Sequence, residues 1–515
     1  MTARHVREEG PPRTGAAPEL IDSGFALENA DAPFLHRGLN LADMAHVLDL
    51  ARRGLVPPNA QQALLELLLA ADATPADEFP YDPNLGEPYN SREAFFVSRI
   101  GDVAGWLHAG RPRREAVRIA LRLHVRRQIV ELVADAARFG FEAVARAEEH
   151  AETVMPDQTY LQQAQPSTFG HYLLSFVYST LRDGHRLLNE LDWVDSSPGG
   201  AGCVNGTRLL ADREFLADTL GFASVIEHTR DAMWQVDGLI GVLATSSSLL
   251  SNLSKLAEDL EIWSSSEFDF VDLDDGYTRA SVLMPQKRNP YALSIIRGAS
   301  GVLIGRLTGF LAVSKSPSAR SDNLIYAYGE VPRALDLAVR ITRLTAGVIR
   351  TLRVHTDRLA EEVRGGYTQA TDLAEHLVQT CDVDYRTAYL VVGRTVRAAS
   401  LAGVPGTAIT GEMIDRAAVE HNGRPLGLTG LDLSAVLDPW QIVLSRGARG
   451  GAAPEALGRM TASLRGSLAD LGATAARRLA DYDAAETELL DAARAVASAT
   501  NARTAATPDP GGDTR

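Results

Sequence analysis

Residues Arg113 to Val154 read RREAVRIALRLHVRRQIVELVADAARFGFEAVARAEEHAETV, and the recurrence of apolar side chains along this stretch decides the fold class. Val117, Leu121, Val125, Ile129 and Leu132 return mostly at steps of three and four, the spacing that lines one face of an α-helix. The pattern predicts one very long helix ended by Pro156. Four more follow: from Pro166, a residue suited to a first helical turn, to Leu191; from Ser224 to Trp263; from Pro290 to Val313; and from Val331 to Leu352. Helices this long need apolar partners along their whole length. The expected fold is all-α, with a central bundle of five long helices shared between subunits.

Shorter helical segments flank the bundle. We expect a disordered N-terminus over residues 1–18 and an N-terminal helical domain over 19–110. The bundle domain takes 111–359, a C-terminal helical domain 360–475, and a terminal helix with a disordered tail 476–515. A chain of 515 residues accommodates two to four domains at roughly 150 residues each. Hydrophobic residues are 45% and charged residues 23%, the composition of a globular protein. Lys plus Arg is 51 against 66 for Asp plus Glu, a net charge of −15, which argues against a duplex nucleic-acid surface built on phosphate neutralisation. Cys203 and Cys381 form no metal-ligand spacing and no disulfide framework, so a reducing cytoplasm is expected. The N-terminus lacks the apolar stretch of a secretory signal, and no membrane span is expected.

The chemistry concentrates in Gly276-Tyr-Thr-Arg-Ala-Ser-Val-Leu-Met-Pro-Gln-Lys-Arg-Asn-Pro290, between the third and fourth long helices. A hydroxyl, an ammonium and an amide fall close together, and Pro290 opens a helix whose first N–H groups lack helical partners. That combination suits an anion. It is equally compatible with a polar loop that merely starts a helix.

Ser281 to Pro290 resembles the S-x-x-M-P-x-K-x-N-P signature of the aspartase/fumarase superfamily. Three further stretches, Gly101 to Arg113, Thr159 to His171 and Leu256 to Ser264, resemble the argininosuccinate lyase branch. The resemblance covers roughly residues 40 to 475. It implies a homotetramer with a twenty-helix core, active sites assembled from three subunits, and elimination of a nitrogen group from a succinyl unit to leave fumarate. It implies Ser281 as base, Lys287 and Asn289 as stabilisers of the carboxylate and aci-anion, and Thr159 as a further carboxylate donor. Such a dianion needs preorganised positive charge and hydrogen-bond donors. No cofactor or metal is implied.

The departures cluster at the amine end. Tyr160 stands where the branch has histidine, and Ser294 where it has the partner glutamate. In the G-R-S-R-N-D segment, Arg111 and Arg113 remain while Pro112 and Arg114 replace serine and asparagine. The family's Y-N-K-D-L-Q-E-D-K aligns with Asp322 to Glu330. Asn323 survives, whereas tyrosine, glutamine and lysine become Asp322, Ala327 and Glu330; a further arginine becomes Val236. Replacing a carboxylate-binding lysine by glutamate costs on the order of several kcal/mol in a partly buried site, so argininosuccinate is not the expected substrate.

The expected enzyme is a carbon–nitrogen lyase acting on an N-substituted aspartate or a succinate bearing another nitrogen group. Alternatives are a true argininosuccinate lyase, a silent crystallin-like scaffold and a lactone-forming cycloisomerase. Ser281, Lys287 and Tyr160 are the candidate catalytic residues. Thr159, Asn289, Arg113, Gln162, Asn90, Ser91 and Asn323 are the candidate binding residues. A leaving group that departs as a stable anion needs no proton; otherwise Tyr160 supplies one, since a phenol with a reference pKa of about 10 can do so when well placed, or it simply fills the space of the histidine. His171 is read as packing on a helix face, Arg111 and Arg113 as compatible with ordinary surface charges although the setting of Arg113 favours an anion-binding role, and Asp269, Asp272, Asp274 and Asp275 as a solvated loop.

Overall fold

The computed structural model describes residues 15–209, 211–319 and 322–498. The disorder expected for residues 1–14 and 499–515 lies outside them; Pro18, placed in the disordered terminus by the sequence, starts a short helix, Pro18–Leu20. The fold is all-α. The helices that matter are α1 (Ala32–Arg52), α2 (Pro58–Ala73), α3 (Pro88–Ile100), α4 (Arg113–Glu149), α5 (Phe169–Val194), α6 (Asp237–Trp263), α7 (Tyr291–Ser314) and α8 (Glu330–Thr351).

Five of these, α4 to α8, form the central bundle. α4 buries Ile119, Val125, Ile129, Leu132, Val133, Phe139 and Val144 to 2% exposure or less. Each such side chain contributes about 1.5–3 kcal/mol relative to exposure, so the stripe fixes which face turns inward. α1 crosses α4 closely: a Cβ on Gly38 would lie 2.6 Å from the Ala120 backbone, so no larger side chain fits there.

The chain beyond the bundle forms a second, separate core around Leu373, Leu377, Val391, Ile414 and Leu437. The last helix, α9 (Pro454–Ser498), runs unbroken through residue 475, where the sequence reading sets a boundary, and returns to the bundle. Tyr482 on α9 donates to Asp195 Oδ2 at 3.0 Å, while Asp195 accepts from Arg126 of α4 at 3.0 Å.

One long helix is shorter than expected and the next is shifted along the chain, ending at Val194 rather than Leu191. α4 ends at Glu149, and α5 begins at Phe169 rather than Pro166. Between them lies an antiparallel hairpin, β1 (Val154–Thr159) with β2 (Gln162–Thr168), in which Pro156 faces Pro166. Both prolines belong to strands, where two residues without N–H groups sit opposite each other and leave no donor unmatched. The third pattern is also divided: Ser224–Val225 pairs as a strand and Thr229–Trp234 is a separate turn of helix before α6.

α7 is long and apolar enough to cross a bilayer by length and composition, which the sequence reading did not anticipate. It packs on α6 and α8, and its Arg297 and Arg306 are ion-paired with Glu258, Glu261 and Glu330. Val302, Ile304 and Leu311 stay exposed.

Candidate active site

The hairpin β1–β2 presents one group of predicted residues. Thr159 pairs with Gln162 across a two-residue turn in which Tyr160 and Leu161 have φ of 56° and 59°. Two consecutive left-handed residues are the geometry of a tight hairpin turn, normally taken by Asn-Gly. With side chains larger than glycine each costs about 1–2 kcal/mol. Strain of this kind persists where the surroundings or the function require it. The Tyr160 ring is 99% exposed, so within one subunit it fills no space.

A second group lies on a small hairpin, β3 (Arg279–Ala280) with β4 (Arg288–Asn289), ahead of α7. Ser281 N–H donates to Lys287 O at 3.3 Å. The Ser281 hydroxyl oxygen accepts from the N–H groups of Met284 at 3.0 Å and Leu283 at 3.3 Å. Two amide dipoles aimed at one oxygen favour negative charge on it. Lys287 is exposed, with no carboxylate in ion-pair range among the described residues. The Asn289 amide donates to Arg279 O at 2.9 Å, which braces the hairpin.

The aspartates preceding this hairpin do more than solvate a loop. Arg288 pairs with Asp272 at 2.7 Å and Asp275 at 2.8 Å and also donates to Leu273 O. Asp272 in turn accepts from Arg353 at 2.5 Å, while Asp274 caps the N–H of Gly276 at 2.9 Å. The Ser281 loop is thereby fastened at its base and open at its tip, with Val282 and Leu283 exposed.

The third group surrounds the start of α4. Arg113 donates to Asn90 Oδ1 and pairs with Glu87 at 3.3 Å. Arg111 is not a surface charge: it is buried, donating to Asp43, to Tyr89 Oη at 2.8 Å and to Ala42 O at 3.0 Å. Arg92 completes that cluster on Asp43 at 2.7 Å. The two arginines hold the Asp43 carboxyl below its ordinary range against the effect of burial. Ser91 is buried too, exchanging hydrogen bonds with the Asp82 backbone at 2.9 and 3.1 Å, so its hydroxyl ties a loop together. Asn323 falls in the short helix Asp322–Tyr326, and its side chain lies outside the described residues. Among those residues, no hydrogen bond or ion pair joins the three groups.

The altered positions have definite partners. Ser294 donates to Glu261 at 2.9 Å. Glu330 pairs with Arg306 at 2.9 Å and Arg333 at 3.0 Å. His171 bonds Gly450 O at 3.0 Å and Ser167 at 3.3 Å, in line with a packing role.

Two residues escaped the sequence reading. Arg118 and Tyr328 line a cavity of about 80 Å³ together with Glu87 and Arg114. Arg114, Arg118, Arg122 and Arg126 recur every four residues on α4, a row of charge alongside a helix stripe that was otherwise read as apolar; that spacing was the available signal. Among the described residues no cluster of His, Cys, Asp and Glu could hold a metal ion.

A family model described as "Lyase" matches residues 79–305, and one described as "Argininosuccinate lyase C-terminal" matches 367–443. Argininosuccinate lyase of Methanothrix thermoacetophila is 32% identical over 464 residues, covering 89% of this chain and 93% of the relative. That of Methanoculleus marisnigri is 34% identical over 431 residues, covering 83% and 87%. The crystal structure of EDDS lyase in complex with formate superposes with a TM-score of 0.84 at 26% identity, covering 95% of this chain and 97% of that one.

Proposed function

Because the chain belongs to the argininosuccinate lyase-like branch of the aspartase/fumarase superfamily and is a carbon–nitrogen lyase, we propose that it eliminates a nitrogen group other than arginine from a substituted succinate, or runs the reverse addition to fumarate. The observation that carries this reading is the Ser281 oxygen facing two N–H groups on the same hairpin as Lys287, an ammonium with no carboxylate partner among the described residues. The serine takes the proton on the carbon next to a carboxylate. Its alkoxide is otherwise far too basic to exist at neutral pH, and the two N–H dipoles with the ammonium lower that cost. Lys287 then meets the charge that accumulates on the aci-carboxylate, with Thr159, Gln162 and Asn289 as hydrogen-bonding residues and Arg113 and Asn90 at the opposite end. The electron pair of the broken C–H bond forms the double bond, and the nitrogen group leaves with the electrons of the C–N bond.

The three groups of residues converge in a homotetramer whose sites draw on three subunits. That arrangement gives Tyr160, Val282 and Leu283, all solvent-exposed in one chain, a surface to meet. It also gives the exposed apolar flank of α7 a partner.

Glu330 weighs against argininosuccinate itself. A lysine there would present a cation to the substrate carboxylate; this carboxylate is instead committed to Arg306 and Arg333. The solved EDDS lyase variant holds fumarate, and fumarate is the product whose appearance tests the proposal. The purified protein is incubated with fumarate and, separately, simple amines, hydrazine and nitrite, and fumarate consumption is followed. Addition with at least one nitrogen nucleophile is the expected result; no addition to any, or argininosuccinate cleavage at an ordinary rate, overturns it.

A further inference from the structure

We propose that the cavity between Arg118 and Tyr328 is the subsite for an oxyanion-bearing group, nitro, nitrite or carboxylate, on the nitrogen side of the substrate. The inference rests on the lyase reading above and gives it a leaving-group chemistry. The cavity, about 80 Å³, adjoins the third group of site residues, since its lining residue Glu87 is the ion-pair partner of Arg113. Tyr328 belongs to the segment in which the expected amine-end residues are replaced.

Two lining groups lack what their chemistry demands. Arg118 is 8% exposed. Its Nε donates to Met233 O at 3.2 Å and its guanidinium lies 4.2 Å from the Tyr328 ring centroid, yet no carboxylate lies in ion-pair range among the described residues. A buried guanidinium without a counter-charge is among the costliest arrangements a core can hold. The Tyr328 hydroxyl is buried with no hydrogen-bond partner among the described residues, and such groups call for an explanation.

The other charged groups in the lining are already engaged. Asp31 accepts from Arg333 at 2.6 Å, Glu87 faces Arg113, and Glu28 and Arg114 have partners of their own. Arg122, one turn further along α4, shows what a satisfied member of the same row looks like. It too has no carboxylate in ion-pair range among the described residues, but it donates to Trp193 O at 2.5 Å and Val194 O at 3.3 Å and stacks on Trp193 at 3.7 Å. Arg118 has no such set.

What remains open in the cavity is therefore a cation and a hydroxyl donor. A planar group with two oxygens matches the guanidinium fork and can accept from the phenol at the same time. A cationic leaving group would meet Arg118 at close range, an arrangement that selects against it. Nitrite expelled from a nitrosuccinate carries away the C–N electron pair as a stable anion, and the only proton moved is the one taken from carbon. The step needs no acid and no oxidant.

Calorimetric titration of the full chain, with sodium nitrite, glycine and methylamine as probes, tests the subsite apart from catalysis. Wild type is expected to bind nitrite or glycine, and Arg118→Gln to weaken that binding at least tenfold. Tyr328→Phe weakens it several-fold and Arg118→Lys restores part of it; methylamine does not bind. Nitrite responding alone assigns a nitro or nitrite group, glycine alone a carboxylate. Thermal unfolding checks each variant, and Tyr328→Phe, which removes one hydroxyl, carries the test if Arg118→Gln does not fold. Equal anion binding in wild type and the Arg118 and Tyr328 variants, no anion binding by wild type, or tighter binding of methylamine overturns the proposal. Fumarate formation is assayed separately: turnover of neutral amines without Arg118-dependent anion binding removes the subsite and leaves the lyase, whereas Arg118-dependent binding without turnover does the reverse.

Discussion

Replacing Glu115 by glutamine removes a defined part of the pH dependence of folding stability. Glu115 is 1% exposed, and its carboxylate accepts from the N–H groups of Gly200 at 2.8 Å and Gly202 at 2.7 Å, holding that glycine loop against the first turn of α4 beside Arg113. Burial pushes its pKa from 4.5 up to about 7, against the opposite pull of Arg111, the two N–H groups and Arg213. An acid whose pKa is higher in the folded chain binds its proton more tightly there. The stability so gained is fully present below about pH 4.5 and is lost as pH rises through about 7. At 1.36 kcal/mol per pKa unit, the wild type loses about 3 kcal/mol across that window through this one group. Glutamine can accept from one N–H but turns its own NH₂ toward the other, which costs about 1–3 kcal/mol at any pH. The variant is therefore less stable than wild type at pH 5, and the gap closes or reverses at pH 8. Urea unfolding at both pH values, at a fixed protomer concentration because assembly contributes to stability, measures the change in the gap. A gap that stays constant within about 0.5 kcal/mol refutes the assignment of a raised pKa to Glu115.

Ser281→Ala should lower kcat by about 10²-fold or more with an unchanged thermal midpoint, since the hydroxyl makes only local bonds in an exposed loop; steady-state kinetics and calorimetry read the two halves. Arg288→Ala removes two partly exposed ion pairs worth about 0.2–1 kcal/mol each and a bond to Leu273 O, so kcat/KM should fall roughly tenfold while global stability hardly moves. Tyr160→Phe separates its two proposed roles: a proton donor makes kcat fall by about 10²-fold for amine leaving groups and not for nitrite, whereas a space-filling ring leaves both unchanged.

The long helices were legible because an apolar stripe repeats over many turns, and a pattern of that length survives local exceptions. The hairpin between α4 and α5 was not. Its strands carry Pro156, Pro166 and a run of glutamines rather than alternating apolar residues, and its turn has Tyr160 and Leu161 where glycine chemistry would announce a hairpin. Prolines in these positions usually mark helix ends. The Ser281 loop was legible as a motif, yet its anchoring was hidden: the aspartates that hold Arg288 and Arg353 look in sequence like any solvated acidic loop. Arg111 was misjudged for a related reason, because a buried arginine is distinguished only by Asp43, nearly seventy residues away. Ser91 suffered likewise, its hydroxyl answering to the Asp82 backbone.

The changed and unchanged parts of the site divide along the chemistry. Removing a proton beside a carboxylate makes the same demand whatever group leaves, and the residues we propose for it, Ser281 and Lys287, sit together on one hairpin pinned by Arg288. The demands of the leaving group are different for every substrate, and several of the departures lie at or near one cavity, with Tyr160 and Ser294 standing apart from it. Arg114 and Tyr328 line it, Glu330 reaches it through Arg333 and Asp31, and Met233, close to Val236 in the chain, accepts the Arg118 Nε. A chain drifting toward silence would have no reason to keep the Ser281 hydroxyl beside an exposed ammonium while rebuilding a distant pocket with a buried arginine that has no carboxylate partner among the described residues. Such an arginine is stabilised when something of opposite charge arrives to meet it, and under the proposal the cavity beside Glu87 and Arg113 is where that partner enters.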